Sequence, residues 1–417
     1  MPADKLWQPP MFSGVRIPRR SNCFRGDRGA PYSTHCKNNT MRVLLLGDYS
    51  NVHATLAKGL REEGVEVILA SDGDGWKNYP RDIDLQRKSL MGVYSIKWIL
   101  DIVRKFRHFK GYDVVQIINP VFLQLSGKRM WPFYRFLRRH NRSVFMGAFG
   151  MDHYWVKAGL DGRTFRYSDF NFGSQQRRGG TNEHFIADWL EGEKGRLNRH
   201  IAADCDGIVA GLYEYWESYR THCPDAQGKL TYIPFPIVVP EGHVAPHTSD
   251  RLRCFIGIQR ERSEYKGTDI MLRALERLEK TYPQEVEVVK VENVPYAKYV
   301  RMLEDSDVIL DQLYSYTPAM NALQAMAEGL IVVGGAEPEY YRLTERQEPN
   351  TTHLRPIINV IPQEESVYRE LEDLILKQQT VNRLRNQSRE FVRKHHDYRK
   401  VARQYLDFWQ STITAKG

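Results

Sequence analysis

Three cations and one helix start carry most of the chemistry legible in this chain. Arg260, Arg262 and Lys266 fall in a loop directly after the apolar run Leu252–Ile258. Cations fixed at a strand end stabilise negative charge that grows on a departing group. A solvated loop, with Glu261 and Glu264 offsetting the positives, is the alternative. Further along, Val308, Ile309 and Leu310 end in a polar loop, and Thr317-Pro318 reads as a helix start, with Thr as N-cap and Pro in the first turn. That helix carries Met320, Leu323 and Met326 on one face and stops at Gly329. A strand, Leu330–Val333, follows and is closed by Gly334-Gly335. Free backbone N–H groups and the helix dipole both face an anion at such a start, so the segment predicts a phosphate site. Asn321 and Gln324 near the helix start offer hydrogen bonds, or are ordinary polar surface. Glu337, in Glu337-Pro338-Glu339, either contacts a ligand or forms a turn.

Alternating strands and helices must position these groups. From Met41, Arg42–Leu46 is a continuous apolar run, as expected of a parallel strand buried on both faces. Gly47 follows, then a polar loop and a helix, Val52–Glu63. Further strands are predicted at Glu66–Ala70, Val114–Ile118, Ser143–Ala148, Ile208–Gly211 and Lys229–Ile233, with helices at Tyr94–His108 and Met130–His140. The pattern restarts near Arg251 with strands Leu252–Ile258, Glu285–Val291, Val308–Leu310 and Leu330–Val333 and helices Gly267–Lys280 and Pro295–Asp305. The Pro- and His-rich stretch Pro234–His247 reads as the linker. This is an α/β chain of two Rossmann-like halves facing a cleft. Residues 366–409 read as two helical stretches. The last places Tyr398, Val401, Tyr405 and Trp409 at helical spacing, as core packing or as a closing helix. The expected division is a basic extension over 1–40, a first domain over 41–240, a second over 241–395, and a C-terminal helix over 396–417 that packs on the first domain.

Composition excludes some partners. Charged residues at 27% and hydrophobic residues at 41% fit a soluble globular protein. No stretch has the apolar length of a bilayer span. The net charge is +9, but residues 1–40 hold seven Lys/Arg against two Asp, which leaves only +4 for the rest. A nucleic-acid partner is therefore not expected. The extension lacks an apolar signal-peptide core and has a disorder-like composition. Met41, which opens the first clean strand, reads as an alternative start. Five cysteines, odd in number and without metal-type spacing, favour a reducing compartment. Two helices interleave aromatics with Lys and Arg, Ser95–His108 and Met130–Asn141. They read as Rossmann helices packed on the sheet, or as basic amphipathic surfaces for an anionic membrane.

The two-domain plan, the segment 311–335 and the aromatic C-terminal helix resemble retaining GT-B glycosyltransferases of the group-1 (family 4-like) class. FIGIQRERSEYKG (Phe255–Gly267) is similar to that family's strand followed by Arg and then Lys-Gly. NALQAMAEG is similar to its Leu-Glu-Ala-Met-Ala-x-Gly helix, apart from Gln324, and FGMDHYW (Phe149–Trp155) to its Gly-x-Asp loop. The resemblance implies a second domain that binds a UDP- or GDP-linked sugar. Lys266 and either Arg260 or Arg262 would clamp the diphosphate. Tyr316, Thr317, Met320, Asn321, Gln324 and Glu337 would line the nucleotide and sugar site. Tyr316 and Gln324 stand where relatives carry two glutamates, which makes a non-catalytic binder or assembly partner the alternative function. The resemblance places Gly47, Asn51, His53 and Asn119 on the acceptor side, with Asp152 to orient an acceptor hydroxyl and His153 to take its proton. It implies a glycan or lipid-linked acceptor in cell-envelope or polysaccharide synthesis, and a cytoplasmic location, with peripheral contact at the inner membrane face. No cofactor is implied. No metal is expected, since cations replace it and no Asp-x-Asp motif lies near the donor loop.

Overall fold

The computed structural model describes residues 40–88, 92–292, 294 and 296–416. Apart from Thr40, the expected extension over 1–40 lies outside the described residues. Val43, Leu44, Leu45 and Leu46 have no solvent exposure, so the first strand must be covered on both faces. Helices cover it. The first half runs β1 (Arg42–Leu46), α1 (Val52–Glu62), β2 (Glu66–Ser71), β3 (Ile83–Asp84), α2 (Gly92–Phe106), β4 (Val114–Ile117), α3 (Gly127–His140), β5 (Ser143–Ala148) and α4 (His153–Leu160). A small antiparallel sheet follows, β6 (Tyr167–Ser168), β7 (Asn171–Phe172) and β8 (Gln175–Gln176). Then come α5 (Thr181–Ile186), α6 (Glu193–Asp204), β9 (Gly207–Ala210), α7 (Tyr213–His222) and β10 (Leu230–Tyr232). The main sheet has the order β10-β9-β5-β4-β1-β2-β3, parallel throughout. Its register pairs Leu46 with Ala70 on one side and with Ile117 on the other.

The second half runs β11 (Leu252–Ile258), α8 (Ser263–Lys266), α9 (Thr268–Thr281), β12 (Val286–Glu292), α10 (Tyr296–Glu304), β13 (Val308–Leu310), α11 (Met320–Glu328), β14 (Ile331–Gly334), α12 (Pro338–Gln347) and β15 (Ile358–Asn359). Its parallel sheet has the order β12-β11-β13-β14-β15. In both sheets the chain reverses its direction of strand addition, between β1 and β4 and between β11 and β13. Ligands of open parallel sheets bind beyond the strand C-termini at such switch points. The segments after β1, β4, β11 and β13 carry most of the groups singled out from the sequence, while Asp152 and His153 follow β5 and Glu337 follows β14.

The C-terminal region holds three helices where two stretches were expected: α13 (Glu364–Leu376), α14 (Val381–His395) and α15 (Tyr398–Thr414). The expected closing helix is α15. Val401, Ala402, Tyr405 and Trp409 are fully buried, and Trp409 Nε1 lies 3.4 Å from Gln116 Oε1 of the first sheet. Tyr398 and Arg399 both donate to Glu62 of α1, at 2.8 Å each. A Cβ on Gly59 would come within 2.6 Å of the Tyr398 carbonyl oxygen, so the small residue sets how closely the helices approach. Where the chain returns, Ile237 N donates to the His396 carbonyl (2.7 Å) and Tyr398 N to the Ile237 carbonyl (3.1 Å). The helix expected from Met130 starts three residues earlier, at Gly127 after extended Ser126, which moves Pro132 out of its first turn.

Candidate functional site

On the first-domain side, Gly47 has φ 81°, and a Cβ there would lie 2.4 Å from Ile118 Cγ2, which holds the β1 and β4 loops together. Asp48 accepts from the amides of His53 (2.9 Å) and Ala54 (3.3 Å) at the start of α1. Burial pushes its carboxyl up to about 7. His53 is fully buried, with Nδ1 2.7 Å from the Gly47 carbonyl oxygen. Burial pushes this imidazole down to about 4, so it is neutral, and its Nε2 has no partner among the described residues. Asn51 occupies the α1 N-cap position at φ 68° without a capping bond, and its buried Oδ1 is also unpartnered. Asn119 donates to the Met151 carbonyl (3.3 Å) and accepts from the Val121 amide (3.0 Å). The four expected acceptor-side residues thus gather where the loops after β1, β4 and β5 converge.

Asp152 and His153 were expected to face an acceptor, and the structure encloses both. Asp152 is the N-cap of α4: it accepts from Trp155 N (2.8 Å) and from Tyr219 OH (2.9 Å) with no solvent exposure. Burial pushes its carboxyl up to about 6 despite these donors. His153 Nδ1 lies 2.8 Å from the Trp189 carbonyl oxygen, and burial lowers its pKa. Neither ring nor carboxylate is open to an acceptor in this arrangement, because the cap draws Asp152 inward and α6 covers His153.

On the second-domain side the three cations separate. Arg260 is paired with Glu292 of β12. Arg262 lies exposed, 5.7 Å from the centre of the Tyr265 ring. Lys266 is half-buried and its ammonium has no ion-pair or hydrogen-bond partner among the described residues. Its carbonyl accepts from Leu313 N (2.9 Å), which stitches the cationic loop to the loop after β13. Asn321 accepts from Tyr299 OH (2.9 Å) and donates to Asp311 (3.2 Å), fixing the start of α11 to the end of β13. Met320 is half-buried against the core, and Gln324 is exposed on α11.

Thr317 is not the N-cap it was expected to be. The cap position is Ala319, without a side-chain bond, and α11 begins at Met320. Proline at 318 disfavours the helical region for Thr317, and its hydroxyl is held elsewhere, by Glu214 of α7. The Glu214 carboxylate also accepts from Ser315 Oγ (2.9 Å), Tyr316 N (2.6 Å) and Thr317 N (3.0 Å). Tyr316 points away from that carboxylate into the first domain. Its ring packs against Phe165, Tyr167 and Tyr213, and its hydroxyl accepts from Arg166 N (2.7 Å). Glu337 is buried and accepts from Arg166 (2.6 Å), Asn359 (3.2 Å) and Tyr167. Arg166 also pairs with Glu339 at 2.7 Å. Tyr265 OH donates to Asp169 (2.6 Å), whose carboxyl burial pushes up to about 6. Arg177 caps the Tyr314 ring at 3.4 Å.

Glu214, Arg166, Tyr167, Asp169 and Arg177 were not singled out from the sequence. The aromatic-rich run Phe165–Tyr167, followed by Tyr213-Glu214-Tyr215-Trp216, is the signal that could have found them. Too many rings stand there for a solvated loop.

The fold and this paired-loop geometry define the GT-B class. Residues 262–407, which include Arg262, Lys266 and α11, match the model of a family described as glycosyl transferase-like. Among curated proteins none matches the chain. Among solved structures, sucrose-phosphate synthase from Thermosynechococcus elongatus is 13% identical, with a TM-score of 0.56 over 90% of this chain and 100% of that one. The catalytic domain of starch synthase IV from Arabidopsis thaliana, bound to ADP and acarbose, is 11% identical, with a TM-score of 0.56 over 90% and 100%. HepE from Anabaena, in complex with UDP and glucose, is 11% identical, with a TM-score of 0.52 over 89% and 100%. The chain has the GT-B fold and carries a glycosyl transferase-like segment in its second domain, as the resemblance read from the sequence implied.

Proposed function

We propose that this protein moves a sugar, with retention, from a nucleoside-diphosphate donor to a glycan or lipid-linked acceptor. The observation that carries the reading is Lys266: a half-buried cation without a partner among the described residues, at the switch point of the second sheet, stitched to the loop that enters α11. A desolvated, uncompensated ammonium is costly unless an anion joins it. The N-terminal amides of α11 supply a second anion-binding element, and Arg262 a third. The solved neighbours that contain UDP or ADP support a nucleoside-diphosphate donor. In transfer, the bond from the anomeric carbon to the diphosphate breaks and a bond to the acceptor oxygen forms. The acceptor proton goes to the leaving phosphate oxygen on the same face, so no protein base is needed where Asp152 and His153 are enclosed. The test is UDP, GDP and ADP binding by calorimetry. Lys266→Ala should weaken the best binder at least tenfold, and unchanged affinity would remove the donor site. Proton NMR of the first-formed product reads the anomeric configuration.

A second reading, a non-catalytic binder of nucleotide sugars, is favoured by Tyr316 and Gln324 standing at the two acidic positions. Nucleotide binding without turnover on any acceptor would select it.

We also propose a cytoplasmic protein that rests on an anionic membrane. No helix among the described residues is long and apolar enough to cross a membrane. Cys205, Cys223 and Cys254 are free and buried, in keeping with a reducing compartment. Of the two basic amphipathic helices, α3 turns Met130, Tyr134 and Leu137 into the core. Helix α2 buries Trp98, Ile102 and Phe106, yet leaves Val93, Ile96, Leu100 and Val103 more than half exposed on the opposite side. Lys97, Arg104 and Arg107 are exposed beside this apolar stripe, where they can meet anionic headgroups. Co-sedimentation with phosphatidylglycerol vesicles should fall at least tenfold in Leu100→Glu with Val103→Glu. Equal binding would refute the contact.

A further inference from the structure

The donor loop of the second domain is held by a carboxylate of the first. Glu214 sits near the start of α7, only 2% exposed, and collects two backbone amides and two hydroxyls from Ser315, Tyr316 and Thr317. After two further residues the chain enters α11 at Met320. The loop carries no acid of its own at 316, and its side chain there crosses the other way, into the pocket of Phe165, Tyr167 and Tyr213. Each domain therefore inserts one group into the other. Gly335 completes the fit: a Cβ there would lie 1.6 Å from the Ser315 carbonyl oxygen, so the far side of the loop is walled by backbone.

We infer that Glu214 is a positioning residue for the donor site, and that the donor loop takes its working shape only while the first domain holds it. An amide pair that faces a fixed carboxylate cannot rotate, which leaves the later amides, at the start of α11, aimed at the diphosphate. Tyr316 serves as the counter-anchor, because its ring and hydroxyl register the loop against Arg166. Glutamine in place of Glu214 keeps the size and one acceptor oxygen, so it retains the two backbone amides. Alanine retains nothing. The inference rests on the donor-site reading for its consequence, but not for the contact itself.

The experiment uses the full chain and has two arms. The first, without nucleotide, follows amide hydrogen exchange. In Glu214→Ala, exchange at Tyr316 and Thr317 should accelerate at least tenfold, while Ala325 and Met326 inside α11 keep their protection. Glu214→Gln should restore most of the protection, and Tyr316→Phe should show a smaller acceleration. The second arm measures UDP and ADP affinity, which should fall at least tenfold in Glu214→Ala and recover in Glu214→Gln. Unchanged exchange at 316 and 317 would overturn the inference, as would equal loss of protection throughout α7 and α11. Accelerated exchange with unaltered nucleotide affinity would overturn the positioning role. If no nucleotide binds even the unaltered chain, the donor-site reading fails, and the exchange arm still decides whether the first domain holds the loop.

Discussion

Arg166 provides the sharpest energetic test of the interdomain contact. Its guanidinium meets Glu337 at 2.6 Å and Glu339 at 2.7 Å, and lies 4.9 Å from the centre of the Tyr316 ring. The two glutamates differ in solvation: the Glu337 side chain is 7% exposed and that of Glu339 is 22% exposed. Removing one partner of a fully buried pair costs about 3–5 kcal/mol, and an exposed pair contributes about 0–1. Arg166 itself is 54% exposed, so solvent screens its half of the pair. Glu337 also keeps donors in Asn359 and Tyr167. The expected cost of Arg166→Ala therefore falls between the limits, about 1–2 kcal/mol, and that of Glu339→Ala at about 0.5 kcal/mol or less. Urea unfolding of Arg166→Ala, Glu337→Gln and the double variant gives the coupling between them. A value of about 1 kcal/mol is expected for groups in direct contact. A coupling indistinguishable from zero, or a larger cost for Glu339→Ala than for Glu337→Gln, would refute the argument from burial.

The buried acids give a pH test. The Asp152 carboxyl rises to about 6 in the fold, so between about pH 4 and 6 the native state holds a proton that the unfolded chain has lost. Its contribution to stability is fully present below about pH 4 and is lost as the pH rises through about 6. Asp152→Asn should thus gain stability relative to the unaltered chain as the pH is raised from 4.5 to 7.5, by up to about 2 kcal/mol. A stability difference that is flat across that range in thermal unfolding would contradict the assignment. Gly335→Ala forces a methyl group onto the Ser315 carbonyl and should cost about 1–3 kcal/mol in urea unfolding, together with donor affinity. A neutral result would show that the loop can move aside.

The strands were legible because parallel strands buried on both faces are continuous apolar runs. Arg42–Leu46 and Leu252–Ile258 stand in the structure where the sequence predicts them. Boundaries set by capping were less so. Thr317 has the right chemistry for an N-cap, but a carboxylate distant in sequence captures its hydroxyl. Arg260 and Lys266 look equivalent in sequence, yet a strand-borne Glu292 neutralises one and leaves the other bare. The hairpin β6–β8 was invisible because its two-residue strands carry no period to read. Glu214 stands in no motif, and at the start of α7 the helix dipole alone would account for an acid. Only the fold shows that its true partners lie a hundred residues away in the other domain.

The hydrogen bonds between Ile237 and the segment His396–Tyr398 have a topological meaning. The chain leaves the first domain beside Ile237 and re-enters it beside Asp397, so the outgoing and returning segments meet at one parallel bridge. The entire second lobe is therefore a loop inserted into the first, with both of its ends at the same point. It is tethered at a doubled pivot rather than a single flexible string, and twisting it requires both segments to turn together. Cutting the chain at either segment would leave the lobe anchored by the other, so the bridge is the natural place to open new termini in a circular permutant.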